Sequence, residues 1–156
     1  MKSTAKALLC GLILSAPVLV IVGNAGAVLG GSADTVDSDS VALSAVRASA
    51  ATRNNYTVHE FESGGTMVRE YVSPSGVVFG IAWNGLTHPD LDVLLGSYAG
   101  AYRSALQQTP RKPGRRRIQV KTGSVVVQKW GHMRNLQGRA YDPALIPEGV
   151  NIDEIR

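Results

Sequence analysis

The chain has 156 residues, 44% of them hydrophobic, a formal net charge of +4 and a single cysteine, Cys10. That length suits one modest domain with a real core. One cysteine excludes a disulfide framework and a cysteine-based structural zinc site.

The chain opens with positive charge at Lys2 and Lys6. Ala7 to Val22 carries no charge and is dominated by Leu, Ile, Val and Ala, with Pro17 inside it. Ala25-Gly26-Ala27 follows as a small-x-small triplet. That order is a secretory signal peptide, and it predicts cleavage near Ala27/Val28. The apolar run is shorter than the roughly 20 residues a spanning helix needs, so no stable membrane span is expected after cleavage. Cys10 leaves with the signal. The expected mature chain, Val28 to Arg156, then holds no thiol nucleophile, and its expected location is the periplasm or the outside of a bacterium.

Charge is divided along the chain. Residues 34–92 hold eight acids against Arg47, Arg53 and Arg69, a net of −5. Residues 103–147 hold ten Lys or Arg against Asp142 alone, a net of +9. A basic face for an anionic partner, or attraction between two halves of one fold, follows from such a split.

Residues 28–55 are rich in Ser, Ala, Asp and Gly and read as a low-complexity, partly mobile arm. Within it, Asp39 to Arg47 has the pattern of a short helix with Asp39 as its cap. Residues 56–156 read as a single domain. Tyr56 to Phe61 and Thr66 to Val72 are strands around the turn Ser63-Gly64-Gly65. Ser73-Pro74-Ser75-Gly76 is a type I turn. Val77 to Trp83 is almost wholly apolar, which predicts a central strand buried on both faces. Thr87-His88-Pro89-Asp90 opens a helix, with Thr87 as cap and Asp90 in the reciprocal position. Leu91, Leu94, Leu95, Tyr98, Tyr102 and Ala105 form one apolar stripe that ends near Gln107. Such a helix is about 27 Å long. Gly96 and Gly100 inside it suggest close approach to the sheet. Arg111 to Arg117 is a basic loop, Arg117 to Lys121 and Val125 to Trp130 form a hairpin, and Arg139 to Tyr141 is a candidate sixth, short strand. Pro143, Pro147 and Gly149 mark an irregular tail laid over the fold. The predicted class is α+β: a mainly antiparallel sheet in the order β-β-β-α-β-β, with one long helix packed on one face.

Gly65 to Trp83, Pro89-Asp90-Leu91 and Leu94 to Tyr98 together resemble a family of secreted bacterial proteins, domain of unknown function 2844. Val28-Leu29-Gly30-Gly31, Gly131 to Arg134, Gly138 to Tyr141 and Pro147 to Val150 fit the same pattern. Leu86 departs from it, because proline is expected after Trp-x-Gly; the departure suggests a looser approach to the helix. The resemblance implies an exported, single-domain bacterial protein and no particular activity.

Three histidines, His59, His88 and His132, are each more than 25 residues apart, which does not suit a metal site. No metal or other cofactor is expected. Ser75 lies between two strands, with no nucleophile elbow. Glu60, Glu62, Glu70, Asp90 and Asp92 are the carboxylates a small hydrolase of envelope polymers would need, with Arg69 and Arg103 as ion-pair partners. Solvated salt bridges on one sheet face are the ordinary reading of that set. The basic loop is the better candidate. Arg111, Lys112, Arg115, Arg116 and Arg117, with His132 and Arg134 nearby, form an anion-binding set. Trp83 and Trp130 end two strands and are candidate aromatic platforms. Behind a signal peptide, nucleic acid is not the expected partner. An anionic envelope component or an acidic protein is, and the expected function is a non-enzymatic binding or accessory module.

Overall fold

A computed structural model of the chain describes residues 29–32, 46–53, 55–110, 114 and 116–156. Seven strands form one sheet: β1 (Val46–Thr52), β2 (Thr57–Ser63), β3 (Thr66–Val72), β4 (Val78–Gly85), β5 (Arg117–Lys121), β6 (Val126–His132) and β7 (Asn135–Tyr141). Their order is β1-β2-β3-β4-β7-β6-β5, and every neighbouring pair is antiparallel. The first four strands form a meander. A helical crossover then carries the chain to the far edge, and β5, β6 and β7 meander back until β7 pairs with β4. The α+β class and the antiparallel sheet therefore hold.

The strand count does not match the expected five or six. β1 falls in the stretch expected as an arm, and it is built from small residues that carry no alternating pattern. β7 runs from Asn135, not Arg139. Its Gly138 has no side chain to signal a strand, because the Trp83 indole takes the space a Cβ would need. The helix expected over Asp39 to Arg47 lies largely outside the described residues, and its last two residues belong to β1.

The crossover is helical from Leu91 to Gln108 but not continuous. Helix α1 (Leu91–Leu95) ends at Gly96, a single 3₁₀ turn covers Gly96–Tyr98, and helix α2 spans Ala99–Gln108. Gly96 takes φ +44° with ψ −112°, a backbone conformation open to glycine, and the first helix breaks there. Nothing lies within 4 Å of a Cβ built on Gly100, so that glycine does not serve close approach to the sheet. The cap is Asp90, not Thr87: Asp90 Oδ1 accepts from the Asp92 amide at 2.9 Å. Thr87 instead gives its carbonyl to the Thr66 hydroxyl at 3.0 Å. Leu86 does not loosen this connection. Its amide donates to the Gly65 carbonyl at 3.2 Å, a bond that proline has no N–H to make.

The expected apolar stripe packs as predicted. Leu94, Leu95 and Tyr102 meet Phe61, Val68, Ile81, Trp83, Val127 and Ala140 on the helix-covered face of the sheet. Leu29 joins them, fully buried, and its amide donates to the Leu94 carbonyl at 3.1 Å. The Gly30 amide and Gly31 carbonyl then bond the start of β4. β4 is central and buried on both faces, as its composition predicts. The opposite face gathers Tyr56, Val58, Tyr71, Phe79, Val126 and Tyr141 around Ile155. The tail covers this face as expected: the Arg139 guanidinium donates to the Ile152 carbonyl at 2.7 Å, and the Tyr71 hydroxyl to the Arg156 carbonyl at 2.9 Å.

Candidate functional site

The hairpin β5–β6 and the strand β7 beside it shape the basic surface. Arg117 pairs with Trp130, Ile118 with Lys129, and Gly131 with Leu136. Side chains alternate between sheet faces, so Ile118, Lys129 and Leu136 point to the helix side, while Arg117 and Trp130 point to the other. A groove of about 200 Å³ opens here, lined by His88, Arg116, Arg117, Ile118, Lys129, Trp130, Gly131 and Leu136. Of the basic loop, Arg116 and Arg117 line it; Arg111, Lys112 and Arg115 lie outside the described residues.

Sequence reasoning misses Lys129 and His88 as members of this site, and an absent side chain brings them together. Trp83 pairs with Gly138 across β4 and β7, and Gly138 pairs with Lys129 across β7 and β6. A Cβ on Gly138 would lie 2.2 Å from Trp83 Cζ2. Only glycine leaves room for the indole to lie across β7 toward β6. The Trp83 indole N–H then donates to His88 Nδ1 at 2.9 Å. That bond fixes the neutral tautomer, with the proton on Nε2. Burial, and then the Lys129 charge, push the His88 pKa below the ordinary histidine value. Lys129 is itself steadied by the Tyr102 ring, 5.6 Å from its ammonium. His88 is therefore a neutral donor among cations. The only sequence signal for it is its place after a strand of apolar residues, which says nothing of β7 and β6.

Trp83 offers no platform. It is 2% exposed and serves as core and as the donor to His88. Trp130 is half-buried, with the Arg117 guanidinium 5.6 Å from its ring centre and its N–H bonded to Gln137 Oε1 at 3.0 Å. Gln137 is held in turn by Asn135 at 2.8 Å. His132 and Arg134 do not line the groove. They flank Met133 on the tight turn between β6 and β7, where Arg134 takes φ +63° and all three side chains are exposed.

The carboxylates are dispersed. Glu60 is held by Arg69 and accepts from the Ser49 hydroxyl at 3.1 Å; the Arg69 bond keeps its pKa below the usual carboxylate range. Glu70 is not on that solvated face. It lies on the helix side, opposite His59 and Ile81 in the register, and is fully buried. Asp92 pairs with Arg103 at 3.3 Å. Among the described residues, no group of three or more His, Cys, Asp or Glu could hold a metal ion, and no helix is long and apolar enough to cross a membrane.

Chemically, the groove can hold an anion: Lys129 and His88 line it from the helix side of the sheet, Arg116 and Arg117 line it at the β5 edge, with the Arg117 side chain turned to the opposite face over Trp130, and Ile118 and Leu136 add apolar surface. No curated protein and no solved structure matches the chain. A family model described as protein of unknown function (DUF2844) matches residues 25–155, which take in every described element, and the chain belongs to that family.

Proposed function

We propose that this is an exported, non-enzymatic module of the bacterial envelope or extracellular space, and that its β5–β6 groove holds the anionic groups of its partner. The single observation behind this reading is that Arg116, Arg117, Lys129 and His88 line one groove at the β5 edge. Three cations and a neutral N–H donor around one groove at the sheet edge attract phosphate, sulfate or carboxylate groups. Export rests on the order of charge, apolar run and small residues at the start of the chain. The hydrolase alternative has less support, because Glu60 and Asp92 are engaged by Arg69 and Arg103, and Glu70 is buried on the other face.

Heparin, a soluble polyanion, tests the groove. The protein should bind it, and the double change Arg116→Ala/Lys129→Ala should weaken binding by roughly an order of magnitude. Equal binding by the double variant would refute the assignment of the site. N-terminal mass spectrometry of the protein from the producing cell tests export separately: a start near Val28 is expected, and retained Met1 would refute it.

A further inference from the structure

Two of the three exposed large hydrophobic side chains among the described residues stand at one end of the sheet: Leu86, 53% exposed, and Met133, 90% exposed. Gly85 pairs with Leu136, so Leu86 continues β4 just past the start of β7. Met133 is on the turn that joins β6 to β7, where His132 pairs with Asn135. Strand spacing and rise place these two residues within roughly 15 Å of each other. β5 begins at this same end, since Arg117 opposes Trp130 near the end of β6. Arg116, Arg117, His132 and Arg134 therefore stand at the same end as the two apolar tips, on the β5–β6–β7 side, while the β2–β3 turn flanks Leu86 on the other.

Single exposed hydrophobics are ordinary on any protein surface. Two at one sheet end, beside cations, are a different pattern. A soluble polyanion rewards the cations and has no use for the tips. An anionic bilayer surface rewards both: phosphates meet the guanidinium groups, and the apolar side chains reach the boundary between headgroups and acyl chains. We infer that this end of the sheet docks on an anionic lipid surface, with Met133 and Leu86 entering the interface and Arg116, Arg117 and Arg134 on the headgroup phosphates. The inference rests on the anion-binding reading of the groove and adds the kind of surface that carries the anions.

Vesicles of phosphatidylglycerol and phosphatidylcholine in equal parts, with pure phosphatidylcholine vesicles as control, provide the test. Flotation should carry the protein with the anionic vesicles and not with the control. The double change Leu86→Ser/Met133→Ser should weaken vesicle binding about tenfold and leave heparin binding unchanged. Arg116→Ala and Arg134→Ala should each weaken vesicle binding about fivefold. Circular dichroism shows that each variant is folded, and unchanged heparin binding shows it again for Leu86→Ser/Met133→Ser. Heparin binding without vesicle binding would overturn the lipid inference and leave the groove reading standing. So would vesicle binding that is indifferent to Leu86→Ser/Met133→Ser. Failure to bind either heparin or vesicles would overturn the groove reading itself.

Discussion

Tyr102 is 4% exposed, and its hydroxyl has no hydrogen-bond partner. Its ring, by contrast, fills the helix-side core and faces the Lys129 ammonium. A buried hydroxyl without a partner opposes folding, while the ring favours it. Tyr102→Phe keeps the ring and removes the hydroxyl, so it should stabilise the protein by about 1 kcal/mol in denaturant unfolding. A loss of stability would contradict that account. His88 gives a second prediction at this scale. Its pKa in the folded state lies below the ordinary value of about 6.5. Above that value both folded and unfolded states hold it neutral, and the Trp83 bond contributes fully. As pH falls from the ordinary value through the lower folded-state value, the unfolded chain takes up a proton first, and stability is lost. His88→Asn keeps an acceptor near the indole N–H and does not titrate. Unfolding free energies measured across this window should fall for the native protein and stay flat for the variant; parallel curves would contradict the assignment.

Elements with a clear alternating or apolar pattern are legible in the sequence alone. β2, β3 and β4 follow from their branched and aromatic residues, and the stripe from Leu91 to Ala105 does pack on the sheet. β1 is not legible, because Ser49, Ala50 and Ala51 carry no apolar alternation; β2 supplies its pairing. β7 reads short because Gly138 interrupts its pattern, and the reason for that glycine is an indole from another strand. Arg116, Arg117 and Trp130 are legible as site residues from residue type and position in the chain. Lys129 and His88 are not, because they meet only through the order β4-β7-β6. The tail makes its own prediction. Ile155 is fully buried against Gly80, where its Cδ1 lies 2.9 Å from a built Cβ. Ile155→Ala should cost about 2 to 5 kcal/mol, read as a lower denaturation midpoint. A change under about 0.5 kcal/mol would mean that the tail does not seal this face.

For the whole molecule, the sheet order converts an uneven sequence into an uneven surface. The chain's acidic part supplies β2, β3 and β4, and its basic part supplies β5, β6 and β7. Because β7 returns to β4, the two parts share one sheet, and the basic edge β5 is left farthest from the acidic strands. Anion capture at that edge, the centre of the account, releases counterions, so its affinity must fall with salt at a slope set by the number of anionic contacts. The most direct measurement is heparin affinity across a salt series for the native protein and for Arg116→Ala. The account predicts a linear fall in log affinity with log salt, and a shallower slope, by about one contact, for the variant. Affinity independent of salt, or identical slopes for the two proteins, would contradict it.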